Sequence, residues 1–368
     1  MRRKILLLLI ATLFCAFGGW YLFSRQGIEN VTGRKTEVLF PNIGDRVAKI
    51  SIEQGDDVLV MQLDNSGSSA KWVLPDNDMY PADSGKVNSF VLKVINAPLS
   101  QKITKNPEQY TVLGVDENCI EHGSSKVIFY DQSGIELGSI YLGNIPLPKE
   151  NSDLSAMPIG QYIRKTNDKQ VYLVSDVISP KVKMGDWIVT NLATVDPSNI
   201  SKITQSSVDG EIIFVLSPVF SDAGEVMEEF RLAADYENIA LNEEAIYLIK
   251  SGIQNLQIED AYKEENLNKA DNPLFGQLFF DLLTTYTLTN GITYKIFSGE
   301  AFNRVYIKLE VGFNEENYKT SRLTSGKTEV ELFENIQKLK EQLVKANQNY
   351  VGWFYLLPSY ANSRFRQR

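Results

Sequence analysis

Val47-Ala-Lys-Ile50-Ser-Ile52 alternates apolar and polar side chains, and 153 residues further on Ile200-Ser-Lys-Ile203 repeats the pattern. Alternation at period two marks a strand with one buried face. The same strand opening two stretches of similar content reads the chain as one unit made twice.

Outward from the first copy, Val58-Leu-Val-Met-Gln-Leu63 is a second strand, and Asn65-Ser-Gly-Ser-Ser69 turns the chain into a third, Lys71-Trp72-Val-Leu74. Asp83 is placed to cap a helix whose Val87, Phe90, Val91, Val94 and Ile95 fall on one face, and Pro98 ends it. Two strand pairs follow. Val127-Ile-Phe-Tyr130 meets Gly138-Ser-Ile-Tyr-Leu142 across Asp131-Gln-Ser-Gly134, and Gln161-Tyr-Ile-Arg164 meets Gln170-Val-Tyr-Leu-Val174 across Thr166-Asn-Asp-Lys169.

In the second copy Glu211-Ile-Ile-Phe-Val-Leu216 and Glu229-Phe-Arg-Leu232 take the places of the second and third strands. Asn242 caps a helix with Ala245, Leu248, Ile249 and Ile253 on one face. Gly291 answers Gly134, Ile292 to Gly299 echoes 135–143, Tyr306-Ile-Lys308 answers Tyr162-Ile-Arg164, and Phe354-Tyr355-Leu-Leu357 answers Val171-Tyr172-Leu-Val174. Between those last two matches the offset jumps from 144 to 183, so about 39 extra residues sit inside the final hairpin. They predict a helix over 329–348 with Val330, Phe333, Ile336, Leu339 and Leu343 as an apolar stripe. Two roles fit such a stripe: packing on its own domain, or a partner interface carried by Val330, Phe333, Ile336 and Leu339. Fewer than three heptads are available, short for an independent coiled coil.

The N-terminus has a different composition. Met1-Arg2-Arg3-Lys4 is followed by residues 5–23 without a charge, then by Ser24-Arg25. Nineteen such residues span about 28 Å as a helix, close to the roughly 30 Å hydrocarbon core of a bilayer. The expected layout is a cytoplasmic tip and transmembrane signal anchor over 1–24, a linker over 25–44, a first unit over 45–195 and a second over 196–368. The basic residues before the span keep the N-terminus cytoplasmic, which places the rest on the extracytoplasmic, periplasmic side of an inner membrane. A cleaved signal peptide ending near Ala16-Phe17-Gly18 and a lipoprotein attached at Cys15 are the alternatives.

Arg2, Arg3, Lys4 and Arg25 contribute +4 with no acid before residue 26, so the whole-chain −9 becomes −13 for residues 26–368. A domain that acidic has no electrostatic grip on nucleic acid. Cys119 is the one cysteine outside the span, so no intrachain disulfide forms in the exported part, and it reads as a small buried residue or an inert thiol.

The chemistry-bearing motifs are fragmentary. His122 is the single histidine, which removes a His-rich zinc site and leaves one candidate for any nucleophile-activating base. Ser68-Ser-Ala-Lys71 has the spacing of penicillin-recognising enzymes but runs into a strand rather than opening a helix. Gly326-Lys327-Thr328 lacks the glycine of a phosphate loop at Ser321. Asp76-Asn77-Asp78 with Asp83 lacks the glycine and closing glutamate of a calcium loop. Acidic pairs such as Glu228-Glu229, Glu243-Glu244 and Glu259-Asp260 read as solvated faces, with a glycosidase-like pair as the alternative. No cofactor is expected.

The motifs together resemble the bacterial family known as domain of unknown function 4340. The resemblance rests on Ala48 to Ile52, Trp72, Tyr80-Pro-Ala-Asp83, Tyr110-Thr-Val-Leu113-Gly114-Val115, Gly138 through Gly143, Tyr162-Ile-Arg164, Val171 to Val174 and Asp186-Trp187, over about residues 38–200, with the second half looser. Asn151 to Met157 and Lys263-Glu-Glu-Asn266 depart from it. The family implies one N-terminal span, an α+β exported domain and genomic company with transporters of the ATP-binding-cassette type.

The fold expected is α+β: an N-terminal transmembrane helix, then two tandem, divergent units of antiparallel sheet with a packed helix. The function expected is a non-catalytic, membrane-anchored accessory or scaffold protein with protein partners in the same membrane. The alternative is a binding module for an envelope glycan or peptide in a groove between the units, with Trp72, Trp187 or Trp353 lining it; a hydrolase is a third reading.

Overall fold

Strand-forming alternation and short turns give nineteen strands among the residues that this computed structural model describes, which are 37–67, 69–122, 124–146, 160–220, 226–269, 271–315, 318 and 329–366. The expected span over 1–24, the linker as far as residue 36, the stretch 151–157 and Gly326-Lys327-Thr328 lie outside them. Among the described residues no helix is long and apolar enough to cross a membrane.

The first strands are β1 (Lys49–Gln54), β2 (Asp57–Asp64), β3 (Lys71–Leu74) and β4 (Tyr80–Pro81), followed by helix α1 (Ser84–Ile95), strand β5 (Gln101–Thr104) and the short helix α2 (Tyr110–Leu113). Then come β6 (Ser125–Tyr130), β7 (Glu136–Leu142), β8 (Gln161–Lys165), β9 (Val171–Val174) and β10 (Asn191–Ala193). The second series is β11 (Ile200–Ser207), β12 (Ile212–Phe220), β13 (Val226–Leu232), α3 (Glu243–Ser251), β14 (Leu256–Gln257), β15 (Asp260–Lys263) and α4 (Glu264–Leu267). It closes with β16 (Phe280–Leu288), β17 (Ile292–Ala301), β18 (Arg304–Phe313), α5 (Glu329–Gln348) and β19 (Trp353–Leu356).

The nine-stranded sheet has the order β4-β3-β2-β1-β6-β7-β8-β9-β5, and the eight-stranded sheet β13-β12-β11-β16-β17-β18-β19-β15. Apart from β4 the two orders coincide strand for strand. Each is a meander of three, then a helix and an edge strand, then a meander of four. β10 and β14 form a separate pair. The pairings are antiparallel, so the fold class is α+β.

Among the described residues, by compactness, one unit lies within 37–45, 91–125 and 138–179 and another within 46–90, 126–137 and 180–366, with cuts inside α1, β6 and β7. In the first unit Tyr110, Val115, Ile120, Tyr141 and Val171 form a core. In the second, Ile50, Ile52, Val127 and Phe129 fill the faces of β1 and β6, while Leu274, Leu278, Tyr306, Phe354 and Leu356 pack around β18 and β19.

Both packed helices begin where a side-chain oxygen takes an otherwise orphaned amide. Asp83 Oδ1 accepts from the amides of Gly85 and Lys86 at 2.9 and 3.2 Å, and Asn242 Oδ1 from Ala245 at 2.8 Å. Val87, Val91, Val94 and Ile95 are buried as their spacing predicts.

Candidate functional site

Three of the recurring motifs meet in the first unit, around Arg164. This guanidinium is only 9% exposed, so its charge must be matched inside the protein. Its Nε donates to the Val115 carbonyl at 2.9 Å and its Nη1 to the Asp168 carbonyl at 3.1 Å. The rings of Tyr110 and Tyr141 lie 4.4 and 4.9 Å from its central carbon, on the cation–π pattern. Tyr110 in turn donates its hydroxyl to the Lys169 carbonyl at 2.6 Å.

The glycines of these motifs are dictated by the same cluster. Gly114 ends α2 at φ +72°, a conformation L side chains avoid, and a Cβ on Gly143 would run into the carbonyl of Leu113. Tyr110-Thr-Val-Leu-Gly114, Leu142-Gly143 and Tyr162-Ile-Arg164 therefore form one structural knot.

Tyr80-Pro-Ala-Asp83 and Asp186-Trp187 meet in the second unit. The Asp83 amide donates to the Trp187 carbonyl at 2.7 Å, and Lys86 Nζ donates to the carbonyls of Asp186 and Ile188 at 3.2 and 2.9 Å. Trp187 packs edge-on against Phe90 with its Nε1 on the Lys181 carbonyl, and Trp72 Nε1 donates to Asn88. These two tryptophans are core residues with their donors satisfied.

Helix α5 spans the 329–348 expected from its stripe. Ile336 is 2% exposed and packs on Tyr318 beside Phe313, and Leu339 is half-buried. Phe333 stays 63% exposed, as does Val344 at 59%. Val330 lies in the helix, with its side chain outside the described residues. Phe333 and Val344 are three turns apart and within about 20° of each other around the axis, with Lys340 between them bonded to Glu315 at 2.8 Å. Near the other end, Asn347 lays its carboxamide on the backbone of Val311, accepting from the Val311 amide at 2.8 Å and donating to its carbonyl.

A cleft of about 350 Å³ opens beside the C-terminal end of α5, entirely within the second unit. Tyr80, Tyr350, Trp353 and Tyr355 supply its aromatic wall and Asn191, Gln348 and Asn349 its carboxamides. Trp353 meets Tyr80 edge-on at 4.7 Å, and Lys263 Nζ lies 4.4 Å from the Trp353 ring. Burial pushes the Tyr80 hydroxyl up to about 12 and Tyr355 higher still, so both stay protonated at neutral pH. Of the three tryptophans singled out in the sequence, Trp353 alone lines this cleft. Tyr350 and Tyr355 were not singled out as site residues, although the aromatic density of Tyr350-Val-Gly-Trp353-Phe-Tyr355 was visible.

The described residues of the calcium-like motif are engaged elsewhere. Asp83 is committed to its cap, and Asp78 accepts a hydrogen bond from Asn266 Nδ2. Among the described residues no group of three His, Cys, Asp or Glu side chains could hold a metal ion. Cys119 is buried, with its thiol 3.0 Å from Asp116 Oδ1, and burial followed by the Asp116 hydrogen bond pushes its pKa up, away from thiolate chemistry.

The sequence pattern of the family described as Domain of unknown function (DUF4340) matches residues 72–273, more than half of the chain. The chain belongs to that family. The match begins at Trp72 and runs past the first copy through β15 and α4, further than the motifs alone suggest. Neither a curated protein nor a solved structure matches it.

Proposed function

We propose that this protein is a non-catalytic, membrane-anchored extracytoplasmic accessory or scaffold subunit of an envelope assembly, associated with a transporter of the ATP-binding-cassette type. The anchor is the uncharged stretch 5–23, the exported part is the two units read over 45–195 and 196–368, and the transporter association rests on the family resemblance. A tether in the same membrane makes a weak partner contact effectively intramolecular, so a modest interface suffices.

The observation that carries this reading is the two-sided character of α5. Ile336 holds the helix to its own domain while Phe333 and Val344 stand out on the solvent side. Large apolar side chains held in solvent on a fixed helix are what a partner surface requires. Trp72 and Trp187, buried with their donors satisfied, also fit this reading better than a tryptophan-lined groove.

The test is a crosslinked, detergent-solubilised pull-down of the tagged full-length chain, read by mass spectrometry, beside Phe333→Ser/Val344→Ser. Both positions are exposed, so the variant keeps its fold. A permease or auxiliary envelope protein captured by the wild type and lost from the variant supports the scaffold. The same captures from both chains, or none from either, overturn the proposed interface.

A further inference from the structure

Strand β13 ends the eight-stranded sheet, so one of its sides has no neighbouring strand. On the other side the Ala233 amide, just past its end, donates to the Val215 carbonyl of β12 at 2.9 Å. Backbone groups of an antiparallel strand alternate between its two sides, so those of Leu232 and Phe230 point away from β12. Among the described residues nothing bonds to them there. Helix α3 stands against the same strand, with Lys250 Nζ 5.8 Å from the centre of the Phe230 ring. Between the two elements lies a hollow of about 270 Å³, lined by Glu229 and Phe230 of β13 and by Glu243, Ile246, Tyr247 and Lys250 of α3. Both elements belong to the second unit. The open edge and the helix beside it make a groove with one side-chain pocket.

We propose that this groove takes an extended peptide, which pairs with β13 as an added strand and lays a lysine or arginine side chain in the hollow. In strand addition the main-chain bonds supply affinity and the pocket beside the edge supplies specificity. The hollow is smaller than the roughly 300 Å³ at which whole small-molecule sites begin, and it suits one long side chain. Its charge selects that side chain. Glu229 and Glu243 are exposed and have no ion pair among the described residues, and they outnumber the single ammonium of Lys250. Ile246 and the 64% exposed Tyr247 ring offer an apolar surface to the stem of a lysine or arginine, while the carboxylates meet its charged end. A second copy of this acidic chain is the weaker occupant, because it would bring its own Glu229 to the same edge.

Full-length chain in detergent is titrated with the acetylated, amidated peptide Ser-Val-Lys-Val-Lys-Thr-Ser and with an analogue carrying glutamate in place of lysine. Two further analogues are N-methylated on alternate amides, one for each edge of the peptide strand. Calorimetry gives the affinity, and hydrogen exchange follows the amides of 226–232. The variant is Glu229→Gln/Glu243→Gln, isosteric at two exposed positions, so the fold is kept. Support is saturable binding of the basic peptide that is lost on methylating one edge and kept on methylating the other, with exchange over 226–232 slowed. The variant then binds about fivefold or more weakly, as two partly exposed charge pairs predict, at an unchanged unfolding temperature. Equal binding of the glutamate analogue, binding indifferent to methylation of either edge or to the variant, or no saturable binding overturns the proposal. So does exchange over 226–232 that is already slow without peptide in a chain sedimenting as a dimer, which gives the edge to a second copy. The α5 substitutions of the pull-down change neither β13 nor α3, so the two tests are read independently.

Discussion

Arg164 and Tyr110 are stacked, with the guanidinium carbon 4.4 Å from the ring centroid, and the charge is held by backbone carbonyls rather than by a carboxylate. The planar guanidinium reaches Val115 and Asp168 with two separate nitrogens while lying against the ring, and a lysine ammonium has neither that spacing nor the flat face. Arg164→Lys is therefore expected to destabilise the fold by about 2–4 kcal/mol, by leaving buried carbonyls unpaired and losing the stacked geometry. Urea unfolding followed by circular dichroism measures it, and a midpoint equal to the wild type would show that the knot is not structural.

Asn347 protects a strand edge. β19 pairs with β18 only at Tyr306 and Ile307, so the Val311 backbone further along is free for the side-chain amide to occupy. Asn347→Leu keeps the size and removes both bonds. A loss of about 1–2 kcal/mol is expected, with increased self-association because an open strand edge templates pairing. Chemical denaturation and light scattering against concentration report the two effects separately.

The turn between β17 and β18 stores strain. Phe302 and Asn303 have φ of 52° and 58°, and Phe302 is exposed, so no burial offsets its left-handed backbone. Phe302→Gly is expected to raise stability by about 1 kcal/mol, the usual cost of that conformation for a residue with a Cβ. A thermal midpoint unchanged or lower would show that the phenyl ring contributes more than its exposure suggests.

Asp281 and Arg366 give the domain an acid-sensitive tie. The Arg366 hydrogen bond, then its charge, holds the Asp281 carboxyl below its usual range against the opposing effect of partial burial. A folded-state value depressed below the unfolded one, about 3.9, adds stability that is present above that value and lost as pH falls through the folded one. Asp281→Asn should therefore be less stable than wild type at pH 7, by under about 1 kcal/mol for so exposed a pair. The gap should close on acidification below about pH 4. Asp260 acts oppositely: burial raises its value, so its contribution is present in acid and lost as pH rises. Unfolding curves for Asp281→Asn and wild type across pH 3–7 test the sign.

The regular elements were legible where local chemistry repeats. β3 and β9 fall where their patterns place them, α1 starts at the cap read from Asp83, and α5 has the bounds of its apolar stripe. β5 and β15 were missed because four residues such as Asp260-Ala-Tyr-Lys263 are too few to show a period and lie on sheet edges. Most of β16 was missed because its run Phe280-Asp-Leu-Leu-Thr-Thr lacks clean alternation. The cleft was half legible, since its aromatic run was visible but not its convergence with Tyr80.

By itself the sequence determined the strand and helix periods, the caps, the repetition of the unit and the acidity of residues 26–368. Each depends on residues close along the chain or on a simple sum. Tertiary structure alone decided that Arg164 is buried among carbonyls, that Asn347 seals β18 and that Trp353 meets Tyr80 edge-on. Those outcomes depend on which distant strands pair and what they exclude from water, and a pattern of neighbours does not carry that information.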